Sequence, residues 1–278
     1  MRIFKSAEEM QHWSLEQRIS GQTIGLVPTM GYLHNGHLSL LNLARSECDI
    51  VVVSIFVNPT QFGFGEDFGK YPRDEEGDSS MCNEYGVDAL FIPDADEMYA
   101  SDASVYVEEN SLSNGLCGVL RPGHFTGVCT VVAKLFNIVL PHKSIFGQKD
   151  YQQAVVIQRM IRDLNFPVEL KVAPIVREQD GVALSSRNVY LSEDERERAL
   201  TISVSLEMVH EKFFAGEVDA KVLKELIVEN LQEASLDIDY VEIVDGALLT
   251  PVESVDMGDV VLIAAYCGKT RLIDNCIF

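Results

Sequence analysis

One stretch of the chain decides its fold class: TIGLVPTMGYLHNGHLSLLNLA, residues 23–44. Residues 23–27 are short and rich in β-branched side chains, which predicts a strand that ends at Pro28. Residues 38–44 have the apolar spacing of a helix, and a turn containing glycine and histidine separates the two elements. Residues 50–57 are nearly continuously apolar, as in a parallel strand covered on both faces. The stretch therefore predicts a strand–helix–strand unit.

The same alternation continues along the chain. Short buried strands are predicted at residues 89–92, 144–146 and 168–173. Helical patterns are predicted at residues 128–139 and 151–164. Alternating strands and helices predict a Rossmann-like, doubly wound parallel sheet, in which ligands bind at the carboxyl ends of the strands. We expect this α/β domain to occupy residues 1–175.

The remaining residues, 176–278, have a different pattern. Two helices come first, and three β-rich segments follow at residues 238–244, 260–266 and 271–275. Helices followed by strands predict a smaller α+β domain with an antiparallel sheet.

Capping signals mark where helices begin. A serine followed three residues later by a glutamate predicts a capping box, in which each residue's side chain accepts the other's backbone N–H. This pattern occurs at Ser6 with Glu9 and at Ser192 with Glu195. Asp219 predicts a further N-cap, and Gly21 predicts the end of the first helix.

The composition is that of an ordinary globular protein, since 47% of the 278 residues are hydrophobic and 8% are aromatic. No apolar run approaches the roughly 20 residues that cross a bilayer. The acidic N-terminal residues lack the apolar core of a signal peptide, so we expect a cytoplasmic protein without membrane contact. The six cysteines are far apart with no C-x-x-C pair, which argues against a zinc cage or a disulfide framework.

The chain carries 22 Lys and Arg against 43 Asp and Glu, a net charge of −21. This charge repels the phosphate backbone of nucleic acids, so no nucleic-acid partner is expected. Residues 120–190 are the exception, with nine basic against five acidic residues. A small anionic ligand is expected near this segment, although a solvated fluctuation of charge explains the excess equally well.

Two histidines, His34 and His37, bracket Gly36 where the predicted strand gives way to a helix. A helix N-terminus presents unpaired N–H groups and the positive end of the helix dipole, which favours phosphate. The imidazoles can donate hydrogen bonds to phosphate oxygens in a transition state, and glycine lets a nucleotide approach the backbone. Two alternatives stay open on this motif alone: histidines that merely cap the helix, and a zinc site, for which no third ligand lies nearby in sequence.

Two further segments offer groups that bind phosphate. Lys149 supplies a mobile positive charge at the end of a predicted strand, and Asp150 can accept hydrogen bonds from ribose hydroxyls. Ser185 and Ser186 precede Arg187, whose guanidinium suits bidentate contact with phosphate. Taken alone, each segment is also typical of a solvated surface loop without a ligand. Their combination at strand–helix or domain junctions predicts a shared nucleotide site.

Together and in order, these segments resemble one enzyme family. The chain contains P-T-M-G-x-x-H-x-G-H at 28–37, F-V-N-P-T-Q-F-G at 56–63, Y-P-R at 71–73, R-P-G-H-F at 121–125, G-Q-K-D-Y-Q-Q at 147–153 and S-S-R-N at 185–188. This set is similar to the pantothenate synthetases (pantoate–β-alanine ligases) of the nucleotidyltransferase superfamily with an H-I-G-H-type motif. That motif alone does not separate these enzymes, but the N-P-T-Q-F, R-P-G-H-F and S-S-R-N segments do.

The resemblance implies an ATP-dependent ligase that makes pantothenate, a precursor of coenzyme A. Pantoate and ATP form pantoyl adenylate and pyrophosphate, and the amine of β-alanine then attacks the acyl carbon and expels AMP. Mg²⁺ is expected with ATP, although its protein ligands are unknown. The resemblance also implies a homodimer and a C-terminal domain that closes as a lid. The alternatives are another adenylyltransferase that forms no amide, and a non-catalytic nucleotide sensor.

The resemblance also implies roles for individual residues. The phosphate contacts and charge stabilisation belong to His34, His37, Lys149, Ser185, Ser186 and Arg187. Met30, Gly147, Asp150 and the backbone at Val176 complete the ATP site, with Gly147 and Asp150 holding the ribose and Val176 the adenine. Pantoate is held by Gln61 and Gln153, with Met30 and Phe62 as its apolar wall and Asn58 and Arg121 nearby.

Four positions depart from the family's usual residues. Tyr32 and Asn35 stand where Ala and Glu are common, Gln148 replaces a Glu, and Leu184 replaces a Met. None of these changes removes a phosphate ligand. The change at Gln148 removes a negative charge beside Lys149, so it places in doubt any metal-binding or lysine-orienting role of that carboxylate.

Overall fold

The computed structural model describes residues 1–63 and 65–278. They form two compact units. The first contains Met1–Gly147 and Gln152–Pro174, and the second contains Gln148–Tyr151 and Ile175–Phe278. This division differs from the one proposed at residues 175 and 176, because the short segment around Lys149 groups with the C-terminal part of the chain.

The first unit is built on a six-stranded parallel sheet, which confirms the predicted α/β class. Its strands are β1 (Arg2–Phe4), β2 (Ile24–Thr29), β3 (Ile50–Ile55), β4 (Ala89–Phe91), β5 (Lys143–Gly147) and β6 (Glu169–Ala173). Its helices are α1 (Ala7–Ile19), α2 (Asn35–Glu47), α3 (Glu75–Glu84), α4 (Ala95–Met98), α5 (Cys117–Leu120), α6 (His124–Val139) and α7 (Tyr151–Asp163), whose first residue belongs to the second unit.

The strand order, β1-β4-β3-β2-β5-β6, places the point where the winding direction reverses between β2 and β5. From β2 the chain passes to β3 on one side, and from β5 it passes to β6 on the other. Ligands of open α/β sheets bind at such a switch point, outside the carboxyl ends of the strands. The loop that follows β2 is therefore an expected place for a site.

Burial on both faces explains why the central strands are so apolar. β2 and β3 pair from Ile24 with Ile50 to Thr29 with Ile55. Leu26 and Val27 are successive residues of β2 and therefore point to opposite faces, yet both are fully buried. A strand that is covered on both faces in this way is apolar along most of its length.

The N-terminal residues differ from the sequence prediction in two respects. Arg2–Phe4 form the edge strand β1, which pairs with β4 and was not predicted. Ser6 is the N-cap residue of α1, but its side chain makes no capping hydrogen bond, so the predicted capping box with Glu9 is wrong. The carboxylate of Glu97 instead accepts the Ala7 backbone N–H at 2.6 Å, and this satisfies a donor at the helix start from outside the helix.

The second unit has two helices and an antiparallel sheet, as predicted. The elements are α8 (Glu193–Phe214), α9 (Ala220–Glu233), β7 (Asp237–Val244), β8 (Val260–Cys267) and β9 (Thr270–Ile277), with the sheet in the order β7-β8-β9. Apolar side chains from both helices and from the sheet form one core, including Leu206, Leu223, Ile227, Val261 and Ile263.

The capping signals of this unit are confirmed. The Ser192 hydroxyl accepts the Glu195 N–H at 3.3 Å, and the Glu195 carboxylate accepts the Ser192 N–H at 2.9 Å. Asp219 accepts the N–H groups of Lys221 and Val222 at 2.9 and 3.2 Å. Each cap satisfies helix donors that have no partner within the helix.

Within the described residues, no helix combines the length and the apolar character that a bilayer crossing requires. All six cysteines are free thiols. Burial raises the pKa of both Cys82 and Cys129 to about 12, so these thiols stay protonated and unreactive at neutral pH.

Candidate active site

The histidine motif lies in the loop between β2 and α2. His34 is the N-cap residue of α2, and its Nδ1 accepts the Gly36 backbone N–H at 3.1 Å. The Nδ1 of His37 accepts the His34 backbone N–H at 3.3 Å. The two imidazole centroids are 4.1 Å apart. Both histidines thus cap the helix, as one of the two alternatives for this motif predicted.

Capping does not exclude phosphate binding, because it uses only one nitrogen of each ring. A neutral imidazole that accepts a hydrogen bond at Nδ1 carries its proton on Nε2. The backbone N–H groups therefore set the tautomer of His34 and His37, and each ring has an Nε2–H donor. These two donors lie at the positive end of the α2 dipole, which is the electrostatic setting that phosphate requires.

A buried carboxylate holds the loop that carries these histidines. Asp78 of α3 is 1% exposed. Its two oxygens accept the backbone N–H groups of Tyr32 at 2.8 Å and Leu33 at 2.7 Å. Burial raises the pKa of Asp78, and the hydrogen bonds from Leu33 and Tyr32 oppose that rise. The loop needs such an anchor because Tyr32 has a φ of +53°, a left-handed conformation that is unfavourable for a residue with a side chain.

The predicted pantoate residues of the 58–62 segment form one hydrogen-bonded group. Asn58 is 1% exposed, and its amide donates to the Gly127 carbonyl at 3.1 Å and to Gln61 Oε1 at 3.2 Å. Gln61 Nε2 contacts the sulfur of Met30 at 3.1 Å. Phe62 packs edge-on against Phe68 and Tyr71. The Asn58 amide is therefore occupied by protein groups, and one of its hydrogen bonds orients the Gln61 side chain.

Gly127 allows this segment to sit close to α6. A Cβ at this position would lie 2.5 Å from the carbonyl oxygen of Thr60, far inside van der Waals contact. A side chain there would push the turn that contains Gln61 away from the helix.

Arg121 is held by a carboxylate of its own unit. Its Nε and NH2 groups donate to the two carboxylate oxygens of Glu66 at 2.8 and 2.5 Å, in a bidentate pair. Arg121 NH2 also donates to the Gln61 carbonyl at 3.4 Å, and His124 Nδ1 lies 2.8 Å from the same oxygen. The guanidinium thus supports the backbone of Gln61.

The two neighbouring glutamines at the start of α7 differ in their contacts. Gln152 is 6% exposed and bonds to the backbone of residues 112, 115 and 117. Gln153, the one predicted to bind pantoate, is partly buried, and no hydrogen bond joins its side chain to the described residues.

Lys149 lies in the second unit, within a short 3-10 turn that also contains Gln148 and Asp150. Burial lowers the pKa of its ammonium, with Arg187 and Arg271 adding to this effect while Asp150 and Asp274 oppose it. The ammonium has no ion pair with any described residue. It lines a small recess with Ser185 and Asp274, whereas Asp150 is exposed. A partly buried, unpaired cation is suited to an anionic ligand.

The Ser185–Arg187 segment lies in the same unit. Ser185 caps a 3-10 helix by accepting the Arg187 N–H at 3.2 Å. Ser186 is 7% exposed. The carbonyl of Val176 accepts the Leu184 N–H at 3.0 Å, and this places the predicted adenine segment beside the serine loop.

The predicted residues therefore form two sets, one in each unit. In the first unit these are Met30, His34, His37, Asn58, Gln61, Phe62, Arg121, Gly147 and Gln153, and in the second they are Lys149, Asp150, Val176, Ser185, Ser186 and Arg187. Across residues 1–63 and 65–278, no three His, Cys, Asp or Glu side chains are placed to hold a metal ion.

Several residues that support these sets were not found from the sequence. They are Glu66, Asp78, His124, Arg177, Asp274 and Asn275. His124 had a visible signal, because it belongs to the R-P-G-H-F segment. Asp274 and Asn275 also had one, since two adjacent polar residues interrupt an apolar β-strand. Asp78 lies in a largely polar helix and had no such signal.

A parallel sheet whose switch point carries hydrogen-bond donors suited to phosphate is characteristic of the α/β enzymes that bind nucleotides. A model of the family described as pantoate–β-alanine ligase matches residues 2–277. A pantothenate synthetase of Thermotoga petrophila is 55% identical over 278 residues, which are 100% of this chain and 99% of the relative. One of Sulfurihydrogenibium is 53% identical, with both chains fully covered. The chain belongs to the pantoate–β-alanine ligase family.

Solved structures agree with this assignment. A crystal structure of pantothenate synthetase from Thermus thermophilus has a TM-score of 0.94 and 43% identity, and the match covers 100% of this chain and 99% of that one. A crystal structure of pantoate–β-alanine ligase from Francisella tularensis, complexed with β-γ ATP and β-alanine, has a TM-score of 0.82 and 33% identity. That match covers 100% of this chain and 97% of the other.

Proposed function

We propose that this chain condenses pantoate with β-alanine in an ATP-dependent reaction that passes through pantoyl adenylate. The observation that carries this proposal is the pair His34 and His37, whose Nδ1 atoms accept backbone N–H groups at the start of α2. Their Nε2–H donors suit the phosphates of ATP. Membership in the pantoate–β-alanine ligase family indicates that pantoate is the acyl donor and β-alanine the acyl acceptor.

The reaction has two steps. A carboxylate oxygen of pantoate attacks the α-phosphorus of ATP, the bond from that phosphorus to the bridging oxygen breaks, and pyrophosphate leaves. The amine of β-alanine then attacks the acyl carbon, the acyl–oxygen bond breaks, AMP leaves and the amine gives up a proton. Both steps need positioning and charge stabilisation rather than a nucleophilic side chain.

The proposed roles follow the two sets of residues. His34 and His37, and separately Lys149, Ser185, Ser186 and Arg187, stabilise the negative charge that develops as pyrophosphate leaves. Met30, Gly147, Asp150 and Val176 complete the ATP contacts. Gln61 and Gln153 bind the pantoate carboxylate and hydroxyls, Met30 and Phe62 form its apolar wall, and Asn58 and Arg121 orient Gln61. The Lys149 ammonium, which has no ion pair among the described residues, and the Asn58–Gln61 hydrogen bond support these assignments.

The ligand-bound relative supports ATP and β-alanine as substrates of this chain. Mg²⁺ is proposed to enter as the counterion of ATP, because Mg²⁺ in such sites is held largely by substrate phosphates. No step is assigned to a protein-bound metal. The homodimer and the cytoplasmic location stay predictions.

The test is pyrophosphate exchange into ATP. We expect exchange that depends on pantoate, and formation of labelled pantothenate from labelled β-alanine only when ATP and pantoate are both present. His37→Ala should lower both rates by about a hundredfold, the typical effect of removing one charge-stabilising donor. Lys221→Ala should change neither, since the Lys221 side chain is 82% exposed.

The alternatives give different results. Exchange without amide formation would indicate another adenylyltransferase. Binding of ATP without release of AMP or pyrophosphate would indicate a nucleotide sensor. Either result rejects the proposed ligase activity.

A further inference from the structure

Lys149 lies in a turn that is too short to determine where the turn itself sits within the second unit. The 3-10 turn Gln148–Asp150 spans three residues, and the rest of the second unit begins again only at Ile175. The contact of this turn with β9 therefore helps to determine where the Lys149 backbone lies within its unit, together with the adjoining Tyr151, whose hydroxyl donates to the Gly246 carbonyl at 2.9 Å. The side chain that makes this contact is Asn275.

Asn275 is 2% exposed, and its side-chain amide is fully used on this turn. Its Nδ2 donates to the carbonyl oxygens of Gln148 at 3.0 Å and Lys149 at 3.1 Å. Its Oδ1 accepts the Gln148 Nε2–H at 3.1 Å. The reversed amide would place Oδ1 against two carbonyl oxygens, so the orientation is determined.

The neighbouring residue, Asp274, forms an ion pair beside the recess that contains Lys149. It is 4% exposed and accepts a bidentate contact from Arg177 at 2.6 and 3.2 Å. The same carboxylate accepts the Asn275 backbone N–H at 2.8 Å and lines the recess that contains Lys149. The carboxylate beside this recess is therefore paired with Arg177.

We propose that Asn275 is a positioning residue for Lys149. Two of its three hydrogen bonds hold backbone carbonyl groups of the turn, and the position of the turn sets where the ammonium can reach. Gln148 takes part as the side-chain donor, which gives this amide a role that does not need the carboxylate common at this position in the family. The inference rests on the proposed function, because it assumes that Lys149 stabilises the leaving pyrophosphate.

A double-mutant cycle tests this role. Asn275→Ala should lower kcat for pantoate-dependent pyrophosphate exchange by at least about tenfold, since a small displacement of a catalytic group has a large effect on rate. The KM for pantoate should change little. In a Lys149→Ala background the same substitution should have no further effect, within about twofold, because its target is gone. Asn230→Ala, which truncates an amide bonded to Ser205 elsewhere in the unit, is the matched control and should leave kcat unchanged.

A second variant covers the possibility that Asn275→Ala does not fold. Gln148→Ala removes one hydrogen bond to Asn275 from a partly exposed residue and leaves the buried amide in place. It should lower kcat by about threefold, the equivalent of one ordinary hydrogen bond, and this loss should also vanish in the Lys149→Ala background.

Two results overturn the proposal. The first is a wild-type kcat in Asn275→Ala or, where that variant does not fold, in Gln148→Ala. The second is an equal loss with and without Lys149, which would show a purely structural role. A third outcome has a different meaning: wild-type exchange in Lys149→Ala would reject the role of Lys149 in the proposed function, and the positioning role with it.

Discussion

The Asp78 carboxylate accepts the Leu33 backbone N–H at 2.7 Å, one residue before the first histidine of the candidate site. Its second oxygen accepts the neighbouring N–H of Tyr32, the residue with a left-handed backbone. One buried side chain on α3 thereby fixes the entry to α2. The positions of both imidazoles depend on this contact, although Asp78 itself has no proposed contact with substrate.

Replacing Asp78 by asparagine should therefore lower activity through the loop. Asparagine offers one acceptor oxygen, and its NH₂ group would face a backbone N–H that loses its partner. Leaving one buried donor unsatisfied costs about 1–3 kcal/mol. We expect a lower melting temperature and a rate of pantoate-dependent exchange reduced by roughly tenfold or more. Asp74→Asn is the control, because Asp74 caps the same helix through the Gly77 N–H and asparagine caps equally well.

A second substitution separates loop geometry from general stability. Tyr32→Gly removes the steric penalty of the left-handed conformation that Asp78 holds in place. Adding Tyr32→Gly to Asp78→Asn should recover part of the lost exchange rate. A double variant no more active than Asp78→Asn alone would argue that Asp78 acts by another route.

The tautomer of His37 predicts losses of activity of different size for two similar substitutions. The side-chain oxygen of asparagine can take the place of Nδ1 and accept the His34 N–H, but asparagine has no donor at the position of Nε2. His37→Asn should keep the wild-type melting temperature and lose about a hundredfold in exchange rate. His37→Gln places an amide N–H near Nε2 and should be the more active of the two. Equal activity of His37→Asn and the wild type would remove the Nε2 donor from the mechanism.

The Glu66–Arg121 pair predicts a stability difference that depends on pH. Burial acts to raise the pKa of Glu66, but the hydrogen bonds and charge of Arg121 outweigh it, so the pKa lies below its ordinary 4.5. A carboxylate with a lowered pKa stabilises the fold fully above its unfolded pKa, and this stabilisation is lost as the pH falls through the folded value.

We therefore expect Glu66→Gln to lower the free energy of unfolding by about 1–2 kcal/mol at pH 7, with a shrinking difference from the wild type as the pH falls below 4.5. Urea denaturation at several pH values measures this. Glu207→Gln is the control, because Glu207 is an exposed residue of α8. A difference that stays constant down to pH 3 would contradict a contribution from the ionised carboxylate.

The sequence predicts the main elements because their signals are local. Residues 50–57 and 260–266 are apolar enough to be recognised as strands without knowing their neighbours, and the observed β3 and β8 lie within two residues of these limits. β1 has no such signal, because its three residues lie at a sheet edge and two are exposed. α3 was missed for a related reason: its sequence, EEGDSSMCNE, has few apolar residues to show a helical period.

The supporting residues of the site could not be predicted, since their roles depend on contacts between distant parts of the chain. Asp78 lies 45 residues from Leu33, and Asn275 lies 127 residues from Gln148. The motifs identify which loops carry the chemistry. They do not identify which side chain from another element fixes each loop, and that information comes only from the packing.

His142 at the start of β5 provides a test of the sheet itself. Its Nδ1 accepts the Ile24 backbone N–H at 3.0 Å, which requires a neutral ring. Burial and the nearby charge of Arg18 lower the pKa of His142, while Asp49 acts to raise it. The unfolded chain then binds a proton that the folded chain does not, so stability must fall as the pH drops below the ordinary value of 6.5.

His142→Asn keeps an acceptor oxygen near Nδ1 and cannot titrate, so the wild type should lose stability relative to this variant between pH 7.5 and pH 5, by at most about 1.4 kcal/mol per pH unit. His12→Asn, at an exposed histidine of α1, should show no such divergence. Parallel unfolding curves for the wild type and His142→Asn across this range would mean that His142 keeps its ordinary pKa in the folded protein.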